Sequence, residues 1–279
     1  MDIDEYSNAS HDQWERSAGG WGEWAQRLQE LVAPVSHWMI EELRLQPGQT
    51  VLELAAGPGE TGFLAAELVR PGGKLISSDF AEGMVEVARS RAPELGLDNV
   101  EFRRLDAESL EIDAASVDGV LCRWGYMLMA DPNTALRETR RVLKTGGRVA
   151  LAAWASPDDN PWVSIPGREL VRRGLVEPVK PGEPGQFTWA PDGVIAEQLA
   201  DAGFVEYEID AVDFVDRYAS FEDYWETQSS MSSRMRDALA GAGPAVVEDL
   251  REAVRAQVQP AGDGTIELPA RTWVAVATA

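Results

Sequence analysis

The stretch from residue 51 to residue 62, VLELAAGPGETG, decides the fold. Thr50–Leu54 is a short apolar run bounded by turn residues, which is typical of a buried β-strand. The small residues that follow let the backbone approach a ligand closely. A helix is predicted over 61–69, and its first turn presents unpaired N–H groups at the same place. The stretch therefore predicts a strand, a ligand-binding turn and a helix in sequence.

Outward from this stretch, short β-rich runs alternate with helical stretches. Six further strands are predicted at Lys74–Ser78, Val100–Leu105, Val117–Cys122, Arg148–Trp154, Val205–Phe214 and Thr265–Ala279. Helices are predicted at Ala81–Ala92, Thr134–Lys144, Pro191–Ala202 and within 220–258. Asn133 is the expected N-cap of the helix at 134–144, and Gly146-Gly147 its expected end. This alternation predicts a parallel sheet covered by helices on both faces.

The chain divides into four segments by composition. Residues 1–46 are predicted to form an N-terminal helical cap, and residues 47–154 the cofactor-binding core. Residues 155–190 are rich in Pro and Gly and are predicted to form an irregular insertion that covers the substrate. Residues 191–279 are predicted to complete the core, with a helical insertion at 216–263.

The charge balance excludes several classes of partner. The chain has 279 residues, with 47 acidic and 25 basic side chains and a formal charge of −22. Nucleic acids and anionic membrane surfaces are bound mainly through Lys and Arg, so neither is expected as a partner. The lone cysteine, Cys122, cannot form an intramolecular disulfide. The acidic start, Met1–Glu5, has no apolar signal region, and no apolar run is long enough to span a membrane, so a cytoplasmic location is expected.

Two kinds of nucleotide ligand fit the glycine turn. Gly57, Gly59 and Gly62 stand at the spacing of the dinucleotide fingerprint, and Asp79 follows 20 residues after Gly59. A carboxylate at that place can accept hydrogen bonds from both ribose hydroxyls. An NAD-dependent oxidoreductase is therefore one hypothesis.

Two acidic residues favour a different ligand. Glu53 lies inside the apolar strand, and a buried carboxylate is costly unless a cation or several donors face it. An amino-acid ammonium beside a sulfonium meets this need, whereas a pyrophosphate is repelled. Asp106, followed by Ala107, comes after the third strand, where it can accept a bond from an adenine amino group. The pattern indicates a ligand with a positive end, a ribose and an adenine.

Five blocks of sequence carry a resemblance to a known family. They are VLELAAGPGETG (51–62), LISSDF (75–80), RRLDAESL (103–110), SVDGVLCRWGYMLMADP (116–132) and TALRETRRVLKTGGRVALAAW (134–154). In this order and spacing they resemble the class I S-adenosylmethionine-dependent methyltransferases, and most closely the ubiquinone/menaquinone-biosynthesis branch. The resemblance implies a Rossmann-like, mostly parallel sheet of seven strands with an antiparallel last strand.

The resemblance also implies roles for individual residues. Ala55, Gly57 and Gly59 line the methionine part of the cofactor, with Glu53 beneath it. Asp79 takes the ribose hydroxyls. The remaining cofactor residues implied are Phe80 and Met84 around the adenine, Asp106 and Ala107 at its amino group, and Arg123 and Trp124 beside the methyl donor. The family usually has glycine at the position of Ala55, whose methyl group is expected to narrow the methionine pocket.

The implied reaction is methyl transfer from S-adenosylmethionine, leaving S-adenosylhomocysteine, to a small aromatic or apolar acceptor. A base is needed only if the acceptor must lose a proton. His11 and Tyr126 are the residues considered for catalysis, and Tyr126 fits better as a pocket residue. His37 is expected to be packed or at the surface. A module that binds the cofactor without catalysis remains the third hypothesis.

Aromatic residues are expected around the acceptor, because aromatic walls commonly line small-molecule pockets. The predicted pocket residues are Trp14, Trp21, Tyr126, Trp154 and Trp162. No metal is expected. Asp159-Asn160 resembles the metal-binding pair of catechol-type enzymes, but no carboxylate follows the fourth strand, so Asp158–Asn160 is interpreted as a solvated turn. A monomer or a homodimer is expected.

Overall fold

The computed structural model describes residues 3–180 and 182–279 of the chain. Met1, Asp2 and Pro181 lie outside the described residues, so the first two residues of the predicted cap and one proline of the predicted insertion are not described. No helix in the described ranges is long and apolar enough to cross a lipid bilayer.

A seven-stranded sheet in the order β3-β2-β1-β4-β5-β7-β6 forms the centre of the fold. Its strands are β1 (Thr50–Glu53), β2 (Lys74–Asp79), β3 (Val100–Arg104), β4 (Val117–Arg123), β5 (Leu143–Trp154), β6 (Glu206–Tyr218) and β7 (Ile266–Thr278). The first five strands are parallel to one another, and β7 runs antiparallel to both β5 and β6. The predicted Rossmann-like sheet with an antiparallel last strand is confirmed.

Ten α-helices accompany the sheet within the described ranges. They are α1 (Ile3–Glu23), α2 (Ala25–Leu43), α3 (Glu60–Leu68), α4 (Glu82–Arg91), α5 (Pro132–Val142), α6 (Pro161–Arg172), α7 (Val194–Asp201), α8 (Phe221–Met231), α9 (Ser233–Gly241) and α10 (Pro244–Gln257). A single 3-10 turn, Tyr126–Leu128, follows β4. The helices predicted in 1–46 and in 220–258 are present.

Alternating side chains of the central strands build two cores, one on each face of the sheet. Leu52, Val120 and Leu151 point to one face and pack with residues of α5 and α7. Val51 and Leu121 point to the other face and pack with residues of α2, α3 and α4. Burial on both faces explains why these strands are apolar throughout, and it fixes the carboxyl ends of β1 to β4 at one edge.

A third core lies beside the sheet. It joins α6, α8 and α10 to the start of β7, with Tyr224 and Leu250 at its centre. Because α6 lies inside 155–190, the prediction that this whole segment is irregular is wrong. Pro161 stands in the first helical turn, where its missing N–H costs nothing, and Pro166 is accommodated within the helix.

Two predicted boundaries also need correction. Asp131, and not Asn133, caps α5, because its carboxylate accepts the Thr134 N–H at 2.9 Å. The helix ends at Val142, and the segment from Leu143 through Gly146-Gly147 belongs to β5. Pairing of Leu143 with Val117 of β4 draws these residues into the sheet. In the late part of the chain, β6 continues to Tyr218, so the helical insertion begins at Phe221.

Candidate active site

A cavity opens at the carboxyl ends of β1, β2, β3 and β4, beneath α1. It encloses about 1000 Å³ including its open mouth. The glycine turn after β1 forms one wall, and residues that follow β2, β3 and β4 form the others. Ligands of open α/β sheets bind at this edge because the loops there converge.

Nine of the eleven predicted cofactor residues line this cavity. They are Ala55, Gly57, Asp79, Phe80, Met84, Asp106, Ala107, Arg123 and Trp124. Gly59 and Glu53 do not line it. Gly59 instead caps α3 with a φ of +90°, and a Cβ there would lie 2.6 Å from the Phe63 ring. Its glycine is therefore needed for the turn and for packing.

Asp79 ties two loops of the cavity together. One of its carboxylate oxygens accepts the Gly57 N–H at 2.9 Å, and the other accepts the Ala81 N–H at 3.0 Å. Burial raises the pKa of this carboxyl, and the backbone donors oppose that rise. A carboxylate has about four acceptor positions, so Asp79 retains capacity for a ligand's hydroxyl groups.

Glu53 finds a donor within the chain itself. It is 3% exposed, and its Oε1 accepts the Gly62 N–H at 2.7 Å. The other oxygen, Oε2, is buried and has no hydrogen-bond partner in the described part of the chain. Burial raises the pKa of this carboxyl to about 8. The donor expected opposite Glu53 is thus partly supplied by the first turn of α3.

A buried ion pair follows the glycine turn. Glu60, the first residue of α3, accepts from Arg123 at 2.9 Å through Oε2 and from Arg91 at 3.1 Å through Oε1. Burial raises the pKa of Glu60 and lowers that of Arg123, and the attraction between the two charges opposes both shifts. This pair was not apparent from the sequence, since Glu60 and Arg123 are 63 residues apart and no local pattern joins them.

Two residues of the cavity wall have left-handed backbone conformations that L side chains rarely adopt. Ala55 has a φ of +50° and Trp124 a φ of +59°. They meet at Gly125, where an added Cβ would lie 2.7 Å from the Ala55 methyl group. Strained backbone of this kind persists at functional sites when the surrounding structure holds it. The Trp124 indole N–H donates to Thr272 Oγ1 at 2.8 Å, which holds that side chain in place.

Helix α1 covers the cavity. Tyr6, Ser7, Ser10, Trp14 and Trp21 of this helix all line it. Two hydrogen bonds fix the helix: the Tyr6 hydroxyl donates to the Leu128 carbonyl at 2.9 Å, and Glu15 accepts the Gly83 N–H at the start of α4 at 3.0 Å. Tyr6, Ser7 and Ser10 of the lining were missed from sequence, because helical periodicity does not say which face closes a distant cavity. Glu108, in the turn after β3, was also missed; its carboxylate accepts from the Ala130 N–H, 22 residues away.

The segment 155–190 does not supply the predicted cover. None of its described residues lines the cavity. Trp162 and Trp154 stand behind the wall, where Trp154 stacks on Trp124 with ring centres 4.0 Å apart and Trp162 contacts Trp154 at 5.0 Å. These two tryptophans support the wall through Trp124 and do not reach the cavity.

The two residues considered for catalysis lie off the cavity surface. Tyr126 is 1% exposed, stacks on Trp189, and shares a 2.6 Å hydrogen bond with Thr139. His11 contacts the edge of Phe80 with ring centres 5.1 Å apart. His37 is exposed on α2. The 3-10 turn after β4 directs the Tyr126 side chain into the core. The position of Tyr126 just past a strand was not enough to predict this direction.

Asn160 has a structural role. Its side chain is fully buried, donates to the carbonyls of Ser156 and Arg271, and accepts from the Arg271 N–H at 3.1 Å. The interpretation of Asp158–Asn160 as a turn holds for its exposed residues, but Asn160 is not solvated. It joins the end of β5 to β7. No cluster of potential metal ligands is found in the described ranges.

Comparison with known proteins agrees with this architecture. Residues 45–170 match the family model described as a methyltransferase domain. This part of the chain is a methyltransferase domain. The resemblance predicted from the five sequence blocks is therefore confirmed, and the domain contains the glycine turn, the ion pair of Glu60 and Arg123, and the strand ends that form the cavity.

Relatives and solved structures extend the comparison. The chain is similar to demethylmenaquinone methyltransferase of Clavibacter sepedonicus, with 36% identity over 151 residues, 54% of this chain and 51% of that protein. Nocamycin O-methyltransferase of Saccharothrix syringae is 30% identical over 186 residues, 63% of this chain and 66% of that protein. The chain spans about half the length of several curated relatives it matches.

The crystal structure of YcgJ from Bacillus subtilis shares the fold. It superposes with a TM-score of 0.60 and 22% identity, covering 87% of this chain and 97% of that one. At this identity the likeness concerns the fold alone. It extends beyond the methyltransferase domain to most of the chain.

Proposed function

We propose that the chain transfers a methyl group from S-adenosylmethionine to a small acceptor with an aromatic or apolar body. The observation that carries the proposal is the cavity at the ends of β1 to β4, with the glycine turn on one wall and Asp79 and Asp106 on others. A nucleoside with an amino-acid end fits this set of groups. The names of the relatives, one acting on demethylmenaquinone and one on nocamycin, support a small-molecule acceptor.

The residues of the cavity fit the cofactor part by part. Asp79 faces the cavity with acceptor capacity for ribose hydroxyls, and Phe80 and Met84 provide apolar surface for adenine. Asp106 and Ala107 would meet the adenine amino group. Gly57 has a φ of +54°, and a Cβ added there would meet no protein atom within 4 Å, so the backbone at this turn is open to a ligand.

The first turn of α3 argues against NAD. A dinucleotide places its pyrophosphate on the free N–H groups of this helix start. Here Glu53 accepts the Gly62 N–H, and the buried carboxylate of Glu60 stands at the first helical position. The Gly62 N–H is therefore already engaged, and the Glu60 carboxylate would repel a pyrophosphate. The NAD-dependent oxidoreductase is therefore the weaker hypothesis.

When bound, S-adenosylmethionine would supply an electrophilic methyl group on its sulfonium sulfur, and S-adenosylhomocysteine would be the thioether leaving group. The chain's contribution would be to hold donor and acceptor in near-attack geometry and to exclude water. Trp14, Trp21, Leu128 and Met129 give the acceptor side of the cavity an apolar lining. Helix α1 would close over that side and keep water out.

Calorimetric titration tests the cofactor assignment. We expect S-adenosylhomocysteine to bind at micromolar strength and NAD not to bind; binding of NAD alone overturns the proposal. Asp79→Asn removes one acceptor oxygen and should weaken S-adenosylhomocysteine binding at least 10-fold. Unchanged affinity in this variant would refute the ribose assignment.

Turnover distinguishes the enzyme from a module that only binds the cofactor. A screen of quinones and other aromatic acceptors with S-adenosylmethionine labelled in its methyl group should yield a labelled product. A chain that binds S-adenosylhomocysteine but labels no acceptor supports the binding module. A cytoplasmic location and a monomeric or homodimeric state remain proposals.

A further inference from the structure

Arg123 is a buried cation whose hydrogen-bonding capacity the protein only partly uses. Its side chain is 9% exposed and lies on the cavity wall at the end of β4. Its Nη2 donates to Glu60 Oε2 at 2.9 Å. Its Nε and Nη1 are buried and have no partner in the part of the chain that the structure describes. Unmet donors on a buried charge cost free energy, so a ligand group that accepts from them is favoured.

The guanidinium is held in place from two sides. Glu60, which is 2% exposed, is itself fixed by Arg91 at 3.1 Å. The ring of Trp124 lies against the guanidinium at 4.7 Å, and Thr272 holds that indole through its N–H. Arg123 is therefore pre-organised before any ligand binds, with two unpartnered donors on a residue that lines the cavity.

The charges around Arg123 select the kind of anion. Glu53 and Glu60 both act on Arg123 electrostatically, and Glu53 Oε2 is a buried acceptor without a partner in the described ranges. A phosphate with two negative charges would be repelled by the Glu60 carboxylate and would leave Glu53 Oε2 without a donor. A carboxylate with an adjacent ammonium has no net charge, so its two ends suit a cation and an acid placed close together.

We propose that Arg123 binds the carboxylate of the cofactor's amino-acid end and that Glu60 positions its guanidinium for this contact. The proposal rests on the proposed function, since it assumes S-adenosylmethionine as the cofactor. In this proposal two parts of the chain bind the methionine end of the cofactor: Arg123 at the end of β4 and the glycine turn after β1.

The test compares two ligands that differ only in the carboxylate. S-adenosylhomocysteine contains it, and the decarboxylated analogue S-adenosyl-3-thiopropylamine lacks it. Calorimetry on the wild-type chain should show about 10- to 100-fold tighter binding of the former, the usual range for a hydrogen bond to a charged group. In Arg123→Gln this preference should fall to within about twofold, through weaker binding of S-adenosylhomocysteine with the analogue unchanged.

Arg89→Gln is the matched control. Arg89 pairs with Glu86 at exposed positions of α4 and does not line the cavity. This variant should keep the preference for the carboxylate-bearing ligand. If Arg123→Gln does not fold, the same two ligands are compared in two other variants. Arg123→Lys keeps the charge, and Glu60→Gln releases the guanidinium. Both should reduce the preference and leave binding of the analogue within about twofold.

The outcomes separate the two proposals. A wild-type chain that binds neither ligand contradicts the cofactor assignment. A wild-type chain that binds both ligands equally well overturns the carboxylate site and leaves the cofactor assignment standing. Equal losses for both ligands in Arg123→Gln would mean that Arg123 acts only on the shape of the cavity, which also overturns the proposal.

Discussion

The hydroxyl of Tyr6 donates a hydrogen bond to the backbone carbonyl of Leu128 at 2.9 Å, across 122 residues of chain. This bond joins α1, which covers the cavity, to the 3-10 turn after β4, which forms part of the cavity wall. Helix α1 forms one side of the cavity, so its distance from that wall sets how far the site is covered. The bond between Tyr6 and Leu128 therefore stabilises the covered state of the site.

Removal of this hydroxyl should loosen the cover. Tyr6→Phe keeps the ring and deletes one hydrogen bond worth about 1 kcal/mol. We expect faster hydrogen exchange in residues 3–23 and about two- to fivefold weaker binding of S-adenosylhomocysteine. Tyr207→Phe, on the half-exposed face of β6, is the control and should change neither. Unchanged exchange in the Tyr6 variant would show that other contacts hold α1.

The buried carboxyl of Glu53 should make stability depend on pH. Burial raises its pKa from 4.5 to about 8, so the folded chain keeps a proton that the unfolded chain releases. The stabilisation is complete below about pH 4.5 and is lost as pH rises towards 8. Glu53→Gln, which keeps an acceptor for the Gly62 N–H, should therefore gain stability relative to the wild type between pH 5.5 and 8.5.

The expected gain is on the order of 2–4 kcal/mol, since each unit of pKa shift corresponds to about 1.4 kcal/mol. Thermal unfolding at both pH values measures it as a rise of several degrees in Tm. Glu67→Gln, at an exposed position on α3, is the control for loss of a carboxyl group, and its Tm should stay close to that of the wild type. A Tm difference between Glu53→Gln and wild type that is the same at both pH values contradicts the assignment of a raised pKa.

Replacement of Ala55 by glycine should maintain or raise the stability of the fold. The Ala55 φ of +50° costs an L-residue roughly 1–2 kcal/mol, whereas glycine loses roughly 0.5–1 kcal/mol of chain entropy on folding. Ala55→Gly should leave Tm unchanged or raise it by a few degrees. The neighbouring Ala56→Gly, at a buried position outside the left-handed region, should lower Tm. Equal losses in both variants would show that the Ala55 methyl contributes packing that outweighs its strain.

Asn160 should matter for stability without any role in metal binding. Asn160→Ala leaves the N–H and the carbonyl of Arg271 without their side-chain partner, which should cost about 2–3 kcal/mol. Thermal unfolding should show a drop of several degrees, and Asp158→Ala at the exposed neighbouring position almost none. If the chain methylates an acceptor, a chelator should not reduce the rate. A rate that falls with the chelator and recovers only with Mg²⁺ would indicate that Asp159 and Asn160 bind the metal.

Signals in the local sequence determined the strand, turn and helix around residues 51–62. They also placed Asp79 at the end of β2 and Asp106 just after β3. Apolar runs, glycine turns and helix periodicity act over about a dozen residues, and the sequence contains them in full. The alternation of these units was enough to predict the sheet and its seven strands. It did not predict that Gly146-Gly147 join β5, because the pairing of Leu143 with β4 and the hydrogen bonds of both glycines with Ala279 overrode the glycine signal for a helix end.

Contacts between distant residues decided how the cavity is closed and charged. The cover is α1 and not 155–190, and Tyr126 faces Thr139 in the core. The pair of Glu60 with Arg123 and the bond from Tyr6 to Leu128 join residues 63 and 122 positions apart. Such contacts depend on which helix packs over which strand end, and no periodicity in the sequence encodes that. The sequence thus determined the cofactor-binding framework, and only the tertiary structure decided which side chains complete the site.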